Sequence, residues 1–248
     1  MAGHSKWNNI KNKKGKEDAR RAKNFTKLAR AIIVAVREGG SEPDYNSNLK
    51  IAIEHAKMEN MPNDNIERAI KKGMGSMDSD NYEEVIYEGY GSGGIAVIVK
   101  CLTDNRNRTA ADVRHAFDKY GGNLGQTGSV SFMFDYKGII VCGKDDSEEE
   151  SDMMEILDFG ASDIRKIDDL YEVETDLENF LAVNDKLSGA GYKISESNLS
   201  YIPQNYIKLT KDEDVKNIVK MFDLLEESDD VQSFYHNWDI PEEFNRED

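Results

Sequence analysis

Lys16, Arg20, Lys23, Lys27 and Arg30 recur at steps of four, three, four and three residues. On a helix turning 100° per residue they fall within about 40° of one line, so the spacing predicts a ladder of cations on a single face. Ahead of the ladder, Lys6, Lys11, Lys13 and Lys14 crowd a short polar, glycine-containing segment that also holds Trp7. Cations in such a row offer point charges to nucleic-acid phosphates, and an indole beside them offers a stacking platform for a base. The helix would lengthen that basic track by about 20 Å at 1.5 Å per residue. Like charges at these spacings cost a helix about a few tenths of a kcal/mol per pair, which an anionic partner would offset. The plainer alternatives are a solvated face for the ladder and, for Trp7, an anchor that docks the tail on the body.

Other groups carry less chemistry. Arg106 and Arg108 stand in the polar stretch TDNRNR between a strand and a helix start. They form a second, smaller phosphate-contact candidate, with salt bridges to an acidic body as the equal alternative. Gly89, Gly91 and Gly94 satisfy G-x-G-x-x-G, but that motif must open a helix to hold pyrophosphate, and here the strand-like IAVIVK follows at once. A hairpin turn is the expectation. His4, His55, His115 and His236 sit in no metal-ligand spacing. The run Asp145, Asp146, Glu148, Glu149, Glu150 and Asp152 could collect Mg²⁺, yet carboxylates also favour the positive end of a helix, which is the expected role. A non-enzyme without cofactor or metal is predicted.

Charge is unevenly shared. Residues 1–73 hold 16 Lys+Arg against 9 Asp+Glu, the other 175 hold 16 against 39, and the whole is −16. The first 30 residues alone carry 10 basic and 2 acidic groups. An anionic chain is repelled by polyphosphate, so a basic block at one end reads as a local grip with the acidic bulk turned elsewhere, or else as a solvated tail. The apolar runs Ala31–Val36 and Ile95–Val99 fall far short of the ~20 residues of a membrane span. No apolar leader opens the sequence. Cys101 and Cys142, beside strand-like residues, read as buried free thiols. A cytoplasmic protein with no membrane partner is expected.

The elements that must position these groups follow from periodicity. A helix over 16–38 gathers Phe25, Leu28, Ile32, Ile33 and Val36 opposite the ladder and stops at Gly39-Gly40. Helices over 47–60 and from Asp64 to Gly73 follow, the latter with Asp64 and Glu67 at capping-box spacing. From Tyr82 the period changes. Strands are predicted over 84–90 and 95–102, a helix over 109–120 capped by Thr109 and Asp112, and a strand over 129–135. A second cycle runs 137–142, 147–159, 163–166, 171–175, 177–190 and 193–201, in the β-α-β-β-α-β order of ferredoxin-like domains. A helix over 212–226 and a strand over 231–238 would complete the interrupted first unit. The fold class is therefore α+β: an N-terminal three-helix domain plus two ferredoxin-like α/β domains, one inserted in the other. The domains are 1–75 for tail and helices, 80–135 with 204–240, and the inserted 136–203, with hinges at Asp135–Lys137 and Pro203–Lys208.

MAGHSKWNNIKNKK, KNFTKLARAI, MPNDNIERAIKKG, YEGYGSGG, TDNRNRTAADVRHAFDKYGGNLG with GSVSFMF, and YIPQN resemble the YebC/PmpR family along nearly the whole chain. The resemblance implies the same three-domain arrangement. It also implies a cytoplasmic DNA-binding transcriptional regulator. Other members, including a mitochondrial translational activator, act on the ribosome and help it through consecutive prolines. In the first motif His4 and Ser5 join Lys6 and Trp7 as candidate nucleic-acid contacts. Asn8 and Asn12 stand where Ala and His are common, so an imidazole at position 12 is unsupported. No clear helix-turn-helix is visible, and the long helix lacks the Asn/Gln set of direct base readout, which favours RNA or the ribosome. An adaptor that meets a basic protein through the acidic domains is the third reading.

Overall fold

The computed structural model describes residues 17–75, 82–145 and 148–241. Helices α1 (Glu17–Gly39), α2 (Ser47–Met58) and α3 (Asn63–Met74) come first. Leu28, Ile32, Ile33 and Val36 of α1 close on Leu49 and Ala56 of α2 and on Ile66 and Ala69 of α3. Gly73 lets α3 approach: a Cβ there would lie 2.7 Å from Cβ of Val36. One side chain joins two helix ends. Asn46 donates from Nδ2 to the carbonyls of Ala35 (2.7 Å) and Gly40 (2.8 Å) while its Oδ1 accepts from Leu49 N (3.0 Å). It thus satisfies an orphan amide at the start of α2 and carbonyls near the end of α1. The third helix differs from expectation at its start, where Pro62 stands at the cap and no side chain caps it.

The chain then forms β1 (Glu83–Tyr90), β2 (Ala96–Thr103), α4 (Arg106–Lys119) and β3 (Asn123–Leu124). The inserted cycle is β4 (Phe134–Gly143), α5 (Glu149–Asp158), β5 (Asp163–Ile167), β6 (Leu170–Thr175), α6 (Phe180–Gly189) and β7 (Lys193–Pro203). Helix α7 (Asp212–Glu227) and strand β8 (Val231–His236) return to the first sheet. The two four-stranded sheets run β3-β1-β2-β8 and β5-β6-β4-β7, and the pairings within both are antiparallel. The second order is that of a ferredoxin-like domain. The turn between β1 and β2 is the glycine-rich hairpin expected, with Gly93 at φ 69° and Gly94 at φ 78°.

Strand β2 is buried almost without alternation because both of its faces are covered. Val97, Val99 and Cys101 meet Phe117 of α4 and Phe222 of α7, while Ala96 and Ile98 meet Val130, Phe134 and Tyr235. The hinge expected at Asp135–Lys137 lies inside β4, where these residues pair with Ile202, Tyr201 and Ser200 of β7. The strand expected over 129–135 is instead a turn followed by the start of β4. Its cause is Glu88, only 3% exposed. Oε1 accepts from Gly128 N (2.8 Å), and Oε2 accepts from Val130 N (2.9 Å) and Ser131 N (2.8 Å). A carboxylate takes the amides a ladder would have used.

Burial works to raise the Glu88 carboxyl, but the three N–H groups outweigh it and hold its pKa below the ordinary carboxylate range. A depressed folded pKa contributes stability above the unfolded value of about 4.3, and that contribution is lost as pH falls through the folded value. Glu88→Gln should therefore cost about 1–3 kcal/mol at pH 7 in urea unfolding and much less at acid pH. Equal losses at both pH values would contradict this account.

Candidate nucleic-acid interface

His4, Ser5, Lys6, Trp7, Lys11, Lys13, Lys14 and Lys16 lie outside the described residues, as does the side chain of Arg20, whose backbone is in α1. The rest of the ladder has a definite place. Lys23 donates from Nζ to the carbonyl of Glu227 and stands 3.6 Å from the Asp229 carboxylate. Lys27 donates to the carbonyl of Glu226 at 3.4 Å. Arg30 donates from Nη1 to the carbonyl of Asp229 at 2.8 Å and to Oδ1 of Asp230 at 2.9 Å. Its guanidinium also lies 5.1 Å from the ring centroid of Tyr82. These acceptors are the last carbonyls of α7 and the turn after it, where cations complement the negative end of the helix dipole. The described half of the ladder thus faces the α/β body and is not a solvated face.

Asp230 is the centre of the site, 5% exposed. Its Oδ2 accepts from Arg108 Nη2 (2.8 Å), Thr109 Oγ1 (2.8 Å) and Thr103 Oγ1 (3.3 Å). Arg108 Nη2 is also 2.8 Å from Asp104, so this arginine takes the salt-bridge alternative. Burial would raise the Asp230 carboxyl, but the hydrogen bonds from Arg108 and Thr109, the Arg108 charge and Arg30 together hold it below its ordinary value. Helix α4 starts earlier than expected, with Asn105 as its cap, accepting from Arg108 N at 3.1 Å. Thr109 is one turn inside and is spent on Asp230. Arg106, exposed at the first position of α4, is not drawn into this cluster; its carbonyl accepts from Tyr87 Oη at 3.2 Å. A cleft of about 560 Å³ opens beside the turn, lined by Arg30, Arg108, His115, Asp104, Asp112 and Asp229.

The residues that sequence reasoning missed are Asp230, Thr103, Thr109 and the carbonyl end of α7. A signal was present in Glu226, Glu227, Asp229 and Asp230, a run of carboxylates at a helix C-terminus, where they oppose the dipole unless cations meet them. Other residues singled out by the sequence have definite places. Burial pushes the Cys101 and Cys142 thiols up to about 12, so they are inert. The acidic run opens α5, where Asp152 accepts from Tyr171 (3.2 Å) and Tyr192 (3.1 Å) and Glu149 pairs with Lys166 (2.7 Å). Among the described residues no His/Cys/Asp/Glu group is arranged to hold a metal, and no helix is long and apolar enough to cross a membrane.

The fold and this cluster define an α+β protein in which a helical unit is held by ions against a pair of antiparallel sheets. Residues 5–76 match the model of the TACO1/YebC protein N-terminal domain, and residues 82–238 match that of the TACO1/YebC second and third domain. A protein of Finegoldia magna named as a probable transcriptional regulatory protein is 59% identical over 239 residues, covering 96% of this chain and 99% of its own. A Ruminiclostridium cellulolyticum protein of the same name is 53% identical over 248 residues, covering all of both chains. The crystal structure of a conserved hypothetical protein from Aquifex aeolicus superposes with a TM-score of 0.82 at 44% identity, covering 93% of this chain and 95% of that one. The chain belongs to the TACO1/YebC family.

Removing the shared carboxylate leaves two guanidinium groups and two hydroxyls without their partner. Asp230→Ala is expected to lose about 3–5 kcal/mol at pH 7 in urea unfolding. Because the folded pKa is depressed, the parent should lose this increment as pH falls below about 4 and the variant should not. Parallel pH profiles for the two proteins would contradict the assignment.

Proposed function

We propose that this chain is a non-enzymatic regulator of gene expression that grips nucleic-acid phosphates through its basic N-terminal segment. The observation that carries this reading is the 10-to-2 excess of basic over acidic residues in the first 30 of a chain whose net charge is −16. Lys23, Lys27 and Arg30 are held by the body, which narrows the phosphate-binding set to Lys6, Lys11, Lys13, Lys14, Lys16 and Arg20, with His4, Ser5 and Trp7 among them. Residues 1–75 carry the grip. Residues 80–135 with 204–240, and the inserted 136–203, shape specificity by contacting the surrounding machinery. The protein works in the cytoplasm and needs no cofactor. The names of its relatives, probable transcriptional regulatory proteins, support control of transcription, and duplex DNA is the target this reading assigns.

A second reading, binding to RNA on the ribosome during elongation through difficult sequences such as consecutive prolines, draws on a specific feature. The basic face of α1 is turned into the body over Lys23, Lys27 and Arg30, so that face is not available to a major groove as a recognition helix would be. A Lys-rich segment with a Trp suits phosphates and unstacked bases instead.

The test is binding of duplex DNA and of single-stranded RNA by fluorescence anisotropy across a salt series. Lys11, Lys13, Lys14 and Lys16 changed together to Ala should weaken binding and reduce the log–log salt slope by about 3, at roughly 0.7–0.9 per lost phosphate contact. Unchanged affinity would sink the assignment. Nuclease-sensitive, low-salt co-migration with ribosomes on a sucrose gradient would select the RNA reading, and migration in light fractions alone the DNA reading.

A further inference from the structure

Four cations from two helices converge on five consecutive residues. Lys23, Lys27 and Arg30 come from α1 and Arg108 from α4, and their acceptors belong to Glu226, Glu227, Asp229 and Asp230. We propose that the α7–β8 turn, Glu226–Asp230, is an internal occupant of a second polyanion site, and that a nucleic-acid backbone takes this site by displacing the turn. The inference rests on the phosphate-binding reading above and extends it to cations that the folded chain keeps paired with its own turn.

The acceptors set the chemistry. The turn presents a row of oxygens along a short stretch of backbone, as a phosphodiester chain does. For Lys27 and for part of the Lys23 and Arg30 contacts that oxygen is a peptide carbonyl, which carries only a partial charge. A phosphate oxygen bearing a full charge is the stronger acceptor for the same donors. The carboxylate of Asp230 is both fully charged and buried, so it acts as the catch of the clasp.

The setting allows exchange. The Lys23–Asp229 pair is open to water, with Asp229 60% exposed in its side chain, and such pairs are screened by salt. The joint between the two sheets, by contrast, is apolar, with Ile98, Val130, Phe134 and Tyr235 at its centre. Displacing the turn from α1 therefore exposes ions and carbonyls that water solvates, and leaves the inter-sheet core closed. Arg30 and Arg108 line the cleft of about 560 Å³ beside the turn.

The test uses the full chain, an oligouridine of about 20 nucleotides and a duplex DNA of about 20 base pairs, with anisotropy over a salt series and amide exchange over residues 224–231. Asp230→Asn removes the catch but keeps acceptor atoms for Thr109 and the arginines. It should tighten binding several-fold and steepen the salt slope by about 2, as the arginine contacts are released to phosphate. In the parent, saturating oligonucleotide should speed exchange over 224–231. Asp229→Ala, at an exposed side chain, should give the same change in smaller measure, about 0.7 in slope, and keeps the test open if Asp230→Asn does not fold. Binding by parent and variants with equal affinity and slope, and unchanged exchange over 224–231, would overturn the inference and leave the N-terminal grip intact. Absence of binding in parent and variants alike removes the proposed function and this inference with it. Whichever probe opens the turn at the lower concentration identifies the source of the phosphates.

Discussion

The carboxylate of Asp230 fixes how the helical unit meets the rest of the chain. It draws donors from α1 through Arg30, from α4 through Arg108 and Thr109, and from the end of β2 through Thr103. Its own carbonyl accepts from Leu102 N at 2.8 Å, which seats the turn against β2. A buried carboxylate costs several kcal/mol in desolvation unless its lone pairs are all met, so each of these donors must be in place at once. Four pieces of chain distant in sequence are thereby held in one register by a single group.

Two kinds of joint follow. The sheets are joined by the chain through the long paired strands β4 and β7 and by a shared apolar core, with Tyr201 tilted against Tyr136 and edge-on to Tyr235 at centroid distances of 4.5 and 5.2 Å. Dispersion and apolar burial do not trade with solvent, so this joint is stiff. The helical unit is held differently. Helix α2 contributes Ile51 to the edge of the inserted domain's core and a Lys50–Asp185 pair at 2.9 Å, while α1 contributes the cations that donate to Asp230 and to the carbonyls of the α7–β8 turn. The contact of α1 with the α7–β8 turn is therefore ionic and polar, where the joint between the sheets is apolar.

Periodicity made most of the elements legible, because each amphipathic helix and each strand writes its pattern within ten to twenty residues. Gly39-Gly40 as a stop, the glycine hairpin and the β-α-β-β-α-β order were all local signals. What was not legible was local only in appearance. Thr109 has the spacing of a cap, yet it is spent on a carboxylate 121 positions away. The segment after Gly128 is rich in strand-forming residues, yet Glu88 takes its amides. Strand β3 is two residues long and carries no period at all. The ladder predicts a phosphate-facing row of cations, and its described members meet acceptors about 200 residues along the same chain.

That last point changes what the charge asymmetry means. A face of one sign requires counter-charge, and the expectation was a partner outside the molecule. The chain supplies part of it from within. Under the proposed function the grip on an external polyanion is left to the residues before Lys23, in a chain whose other residues hold most of the 48 Asp+Glu and repel phosphate. At physiological salt that repulsion reaches only about 8 Å, so it leaves a strand on the basic segment undisturbed but penalises any strand lying along the acidic surface. An acidic body is thus compatible with nucleic-acid binding and restricts it to one end. The carboxylates of the α7–β8 turn stand at the boundary, where Asp229 meets Lys23 and Asp230 meets Arg30.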